Sequence, residues 1–177
     1  CIEIAWLNDI GAEGYFDLNE KNENPYELKY LGKEQKLNSE QETFICIADN
    51  AIRKKIYKSL PNVDFNINLI HPNTLISNTV DIGFQTLICA GAIINPQVEI
   101  GKGCIINTGA IIEHDVIIGD NCHISTGTIV NGGVVIKNNS FVGSGAVIKQ
   151  NIKIGKACLI NAKKFVNKNL KDNSKIL

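Results

Sequence analysis

Every sixth residue from Ile70 to Val166 is isoleucine or valine, with no slip of phase. Two positions before each stands mostly a small or β-branched residue, as at Thr86, Ala92, Val98, Cys104, Ala110 and Val116, and Gly or a short polar residue commonly follows. A period of six suits neither an amphipathic helix nor an ordinary hairpin strand. A two-residue step puts the small residue and the aliphatic on one face of a short strand. Gly, Asn or Asp then turn a corner, where left-handed backbone costs them little. Three hexapeptides close one triangular coil, so residues 18 apart become vertical neighbours in a solenoid whose parallel ladders lie about 4.8 Å apart. The array predicts somewhat over five coils, a prism on the order of 25 Å tall.

At 177 residues the chain has room for this solenoid and a smaller appendage. Boundaries are expected at 1–65 for a partial α/β domain, 66–169 for the solenoid and 170–177 for a tail. Lys+Arg and Asp+Glu balance at 18 each, and Arg53 is the only arginine, so no net field favours nucleic acid. No apolar run is long enough to span a bilayer, and the six cysteines show no C-x-x-C spacing. A reducing cytoplasm with free thiols is expected. Thr86, Cys104, Cys122, Ser140 and Cys158 follow one another at intervals of 18, all at the small inward position. They read as core fillers that behave as small hydrophobes. The chain opens on CIEIAWLND, which reads as the middle of a fold, and contains no methionine. An incomplete N-terminus is expected.

One stretch departs from this core logic. In IIEHDVIIGDNCHIS, residues 111 to 125, His114 stands between Glu113 and Asp115 at a corner, outside the inward pair. The step of 18 puts Gly132 above His114 and Gly133 above Asp115, which predicts a notch free of side chains over the imidazole. One reading is a solvated corner histidine with acidic neighbours. The other is a general base whose tautomer an adjacent carboxylate fixes, and which that carboxylate supports once it is protonated.

The array, with NTGAIIEHDVIIGDNCHISTGTIVNGGV from Asn107 to Val134, resembles the left-handed β-helix acyltransferases, in particular the PglD/NeuD group of sugar acetyltransferases. Hexapeptides mark only the superfamily; the Asn-Thr start, the Glu-His-Asp centre and a second histidine nine residues on are more specific. The resemblance implies a left-handed hand for the coil. It also implies a fold that is mainly β, a β-helix preceded by a small, incomplete α/β Rossmann-like domain. In that group the residue matching His114 is the proposed base and the one matching Asp115 orients it. Residues matching Asn107 and His123 lie near the thioester and the acceptor, with Glu113 beside them. Acetyl-CoA would lie in a groove flanked by Gly132, Gly133 and Gly143, at the interfaces of a homotrimer. A nucleotide-linked amino sugar of the UDP-4-amino type would be acetylated on nitrogen, without a metal. Backbone N–H groups and the side chains of Asn107 or His123 are candidate oxyanion donors.

CIEIAWLND reads as a buried strand with polar residues at its end, and TFICIADNAIRKKIYKSL (43–60) as a strand, a turn at Asp49 and Asn50, and a helix. By the same resemblance Asn8, Asp9, Asp49, Asn50 and Arg53 would approach the nucleotide. Alternatively, Asn50 caps the helix and Arg53, with Lys54 and Lys55, forms a solvated face. The group's glycine-rich first turn ending in histidine and its C-terminal Gly-x-Pro-Ala-Lys signature do not occur here, so truncation at both ends is expected. Sugar O-acetylation, a zinc β-helix using His71, His114 and His123, and a non-catalytic scaffold are the competing readings.

Overall fold

The structure, a computed structural model, describes residues 1–33, 37 and 42–177. From β3 (Leu69–Ile70) to β20 (Lys175–Ile176) the chain forms two-residue strands on three parallel sheets of seven, six and five strands. Register follows the step of 18: Ile111 pairs with Ile93 on one side and Ile129 on the other. Backbone bonds tie each coil to the next, as where Ile111 N donates to Thr128 O and Glu113 N to Val130 O, both at 2.9 Å. The sixth-position aliphatics fill the prism, with Ile112 and Ile124 fully buried. Each such side chain contributes roughly 1.5–3 kcal/mol by transfer from water.

Corners keep the same discipline. Left-handed backbone recurs every six residues from Gln85 to Lys163, at Gly in some corners and at Asn121, Asn139, Asn151 or Asp115 in others. These are residues for which that conformation is cheap. Asp115, at φ 59°, thus occupies the regular corner position, and its short side chain turns back toward its neighbour.

The small inward column has a second job beyond filling space. Thr86 Oγ1 donates to Gly101 O at 3.2 Å, Cys104 Sγ to Gly119 O at 3.2 Å, Cys122 Sγ to Lys137 O at 3.3 Å and Ser140 Oγ to Gly155 O at 2.8 Å. Each side chain satisfies a corner carbonyl fifteen residues on, which is why both hydroxyls and thiols serve there.

Residues 170–177, expected as a tail, extend the solenoid. β20 pairs with β18 (Leu159–Ile160) in a register of Leu159 to Lys175, two residues shorter than the regular step, and Leu170 bridges Ile154. The hexapeptide phase breaks after Val166, so the periodic pattern did not reveal this last coil. Seven stacked strands stand about 29 Å tall, slightly more than the sequence array implied.

The N-terminal part differs from expectation. Residues Ile2–Leu7 form a helix, α1, where a strand was expected. A short apolar run fits either element, and among the described residues no strand pairs with it. Ile4 and Ala5 instead pack on Leu69, with Phe44, Ile67 and Leu87 around them. A two-stranded parallel sheet joins β1 (Gly14–Phe16) to β2 (Lys29–Gly32). Residues 44–48 form no strand; they run over the outside of the solenoid, and side chains hold them there. Ile45 N donates to Gln85 Oε1 at 2.9 Å, and Gln85 Nε2 donates to Thr43 O at 2.6 Å. The expected helix follows as α2 (Asn50–Ser59). Among the described residues these pieces do not assemble a Rossmann-like sheet.

Candidate active site

His114 and Asp115 sit at the corner between β10 (Ile111–Ile112) and β11 (Ile117–Ile118), where the coil backbone fixes both. Asp115 N donates to Pro96 O at 3.1 Å and Gly133 N to His114 O at 3.0 Å. Their side chains meet, with Nδ1 of His114 2.7 Å from Oδ2 of Asp115. Because a carboxylate only accepts, that contact puts the proton on Nδ1 and leaves Nε2 as the nitrogen with a free lone pair. The pair is well exposed, at 64% and 63%, in an open groove of about 480 Å³ that Glu113, Asn131, Gly132, Gly133, Gln150 and Asn151 also line.

The notch above the histidine is not vacant. A Cβ on Gly132 would stand 2.8 Å from Cε1 and Nε2 of His114, so the imidazole itself fills the space that the glycine leaves. Gly133 has φ 67°, and a Cβ there would collide with Asn151 Oδ1. Glu113 is held away from the imidazole by Asn95, whose Nδ2 donates to its Oε2 at 3.0 Å. Gly143 lies at a different corner, and the backbone of Asn161 and Ala162 in the next coil occupies its Cβ position. It belongs to coil stacking and not to the groove around His114.

Asn107 and His123 pair with each other, Nδ2 to Nε2 at 3.2 Å, and make no contact with His114 within the chain. His123 is 6% exposed on the outside of the β12 strand (His123–Ile124), beneath the N-terminal segment, with its Nδ1 3.4 Å from Ala48 O. Burial first, and then the Arg53 charge, hold this imidazole below its ordinary pKa against the opposing Ala48 carbonyl.

The five nucleotide candidates are divided. Asn8 ties α1 to the first coil, its Nδ2 donating to Ile4 O at 2.7 Å and Ile70 O at 2.9 Å. Asp49, not Asn50, caps α2 by accepting from Ile52 N at 2.8 Å. Asn50 instead reaches the solenoid, donating to Ser140 O at 3.1 Å. Arg53 is no part of a solvated face: it is 3% exposed, with carbonyls around its guanidinium. Asp9 is exposed, at φ 58°.

Asn131, Gln150 and Asn151 were not singled out from the sequence, although the step of 18 that leads from His114 to Gly132 also leads to Gln150, and from Gly133 to Asn151. Gln85 and Asn121, which anchor the outer segment, carried no signal beyond their corner positions. The thiols give no activated nucleophile in the core; the Cys104 side chain and burial push the Cys122 thiol well above its usual range. Among the described residues no three His, Cys, Asp or Glu side chains gather as a metal site, and no helix is long and apolar enough to cross a membrane.

Comparison with known proteins bears on the repeats and the fold. The bacterial transferase hexapeptide family (six repeats) matches residues 98–132. PerB from Caulobacter crescentus, solved with CoA and GDP-perosamine, is 28% identical at a TM-score of 0.87, over 98% of this chain and 86% of PerB. The acetyltransferase domain of PglB from Neisseria gonorrhoeae is 24% identical at a TM-score of 0.87, over 97% and 88%. WeeI from Acinetobacter baumannii is 22% identical at 0.85, over 97% and 87%. At those identities the latter two speak to fold alone. No curated protein matches the sequence. By its repeats and its fold together, this chain is similar to the bacterial hexapeptide transferases, and among solved structures to the sugar N-acetyltransferase PerB.

Proposed function

We propose that the chain transfers the acetyl group of acetyl-CoA to the amine of a nucleotide-linked amino sugar, with His114 as general base. The observation that carries this reading is the Asp115-backed imidazole standing exposed in an open groove, with Nε2 as its acceptor nitrogen. The neutral sugar amine gives up a proton to Nε2 as its nitrogen attacks the thioester carbonyl carbon. Asp115 keeps the tautomer and supports the imidazolium so formed. The tetrahedral oxyanion then collapses, the C–S bond breaks, and the CoA thiolate takes the proton back from His114. The chemistry needs neither a metal nor a covalent enzyme intermediate. Around His114 the groove offers amides in Asn131, Gln150 and Asn151 and, among the described residues, no lysine or arginine, which suits the hydroxyls of a sugar better than a diphosphate.

A homotrimer with its sites between copies is part of the proposal. The outward positions of the six-stranded face form an apolar column, with Leu75 69% and Phe165 62% exposed and Ile93, Ile111, Ile129 and Val147 between them. Covering that column with a second copy would remove it from water. It would also let the Asn107–His123 pair of one copy reach the groove of another, since the two corners do not meet within one chain. A monomeric mass in solution at working concentration would count against this arrangement.

CoA thiol release tests the acceptor, with a UDP-linked 4-amino sugar tried first and GDP-perosamine, the ligand solved with PerB, second. Saturable release with either supports N-acetylation. Release only with hydroxyl acceptors moves the reading to an O-acetyltransferase.

A further inference from the structure

Arg53 is a buried cation with no ion-pair partner among the described residues. Its Nε donates to Gly103 O at 2.8 Å, Nη1 to Ile47 O at 2.9 Å and Ala48 O at 3.1 Å, and Nη2 to Asn50 Oδ1 at 2.8 Å and Cys122 O at 3.4 Å. Burying a guanidinium among neutral acceptors is costly, and a helix needs no such residue to lie on a solenoid. What the fork achieves is the joining of two coil carbonyls to the 47–50 segment in one rigid geometry.

One of those carbonyls is shared. Ala48 O faces both the guanidinium and Nδ1 of His123. A carbonyl only accepts, so Nδ1 carries the proton and Nε2 is left as an acceptor. Nε2 receives an N–H from Asn107, whose amide orientation is set independently by Oδ1 accepting from Thr108 N at 2.8 Å. One N–H of that amide is therefore engaged, and the other has no partner among the described residues. The cation beside His123 further disfavours a protonated ring, which would lose the Asn107 contact. His123, one of two side chains that the sequence offered as oxyanion donors, has no proton on Nε2 to give.

We infer that Arg53 is a positioning residue for acyl transfer: through the shared Ala48 carbonyl it holds His123 as the Nδ1–H tautomer, so that Asn107 presents its second amide N–H to the acyl oxygen. The role assigned to Asn107 rests on the acetyltransferase reading; the tautomer assignment does not. It makes docking of the N-terminal segment a condition for a correctly set donor, and so ties the part of the chain proposed to carry the nucleotide to the part proposed to stabilise the oxyanion.

The test is ¹⁵N NMR of histidine-labelled full chain near neutral pH, with signals assigned by substitution of each histidine, alongside kinetics. Expected for the native chain is a protonated Nδ1 and an unprotonated Nε2 at His123. Arg53→Lys, whose single ammonium cannot fork across these acceptors, should give mixed tautomers and about a tenfold fall in kcat, with the KM for acetyl-CoA changed less than about twofold. Asn50→Ala, which removes one guanidinium acceptor, serves if Arg53→Lys does not fold, and should give the same changes in smaller measure. A native His123 protonated on Nε2, or a folded variant with unchanged ¹⁵N pattern and unchanged kcat, overturns the inference. The expected ¹⁵N pattern in a chain that acylates no amine overturns the acetyltransferase reading and leaves the tautomer assignment standing.

Discussion

Gly132→Ala separates catalysis from folding at a single methyl. The added Cβ would stand 2.8 Å from Cε1 and Nε2 of His114 and 3.3 Å from Nδ1. Ordinary contact begins near 3.4 Å, so the imidazole has to retreat by about 0.6 Å. Retreat is feasible because the ring is 64% exposed, but it carries Nε2 off its line and loosens the 2.7 Å bond to Asp115. A misplacement near 1 Å can cost up to about 100-fold in rate, so kcat should fall roughly 10- to 100-fold. Stability should not fall with it. Gly132 lies outside the left-handed region, so alanine fits its backbone and stiffens the unfolded chain by about 0.4–1 kcal/mol. Gly133→Ala is the contrast: at φ 67° and against Asn151 it should lower stability by about 1–2 kcal/mol or more. CoA-release kinetics and thermal melts on both variants are the assay. Undiminished kcat in a folded Gly132→Ala protein would refute the claim that the ring's packing under this glycine sets the base.

Three further outcomes follow from the contacts. Gln85→Ala removes the buried anchor of the outer segment and leaves the Ile45 N–H without its partner, a loss of about 1–3 kcal/mol; hydrogen exchange across 43–48 should quicken, and unchanged protection would contradict the anchoring role. His123 is held below its ordinary value of 6.5 in the folded state, so the unfolded chain binds the extra proton first. The stability linked to this group is therefore complete above about pH 6.5 and is lost as the pH falls through the folded pKa. Denaturant titrations at descending pH should show that loss in the native chain and less of it in His123→Asn, and parallel pH profiles would contradict it. Cys122→Ser should fold with its stability kept, since Thr86 and Ser140 make the same bond in the same column, whereas Cys122→Ala leaves Lys137 O unsatisfied; equal melting temperatures for the two would count against the carbonyl ladder.

The solenoid was legible because its information is local and repeated: an inward Ile or Val every six residues fixes the face, and a step of 18 fixes the neighbours. That arithmetic brought Gly132 to His114, and would have brought Gln150 and Asn151 had it been carried one coil further. It could not say that the imidazole would fill the notch itself, since that depends on which rotamer the Asp115 carboxylate holds. The alternative reading of Arg53 as part of a solvated face fails for a related reason. On a helix its neighbours Lys54 and Lys55 suggest a wet face, but its partners include solenoid carbonyls 50 and 69 residues away in sequence. The Ile2–Leu7 helix went unread because a six-residue apolar run fits either element until its packing partner is known.

The most direct single measurement is CoA thiol release from acetyl-CoA with nucleotide-linked 4-amino sugars, native chain against His114→Ala. Saturable release that drops by about 100-fold or more in a folded variant is the expected result. Equal release from both proteins would show that His114 is not the base and would contradict the proposed chemistry.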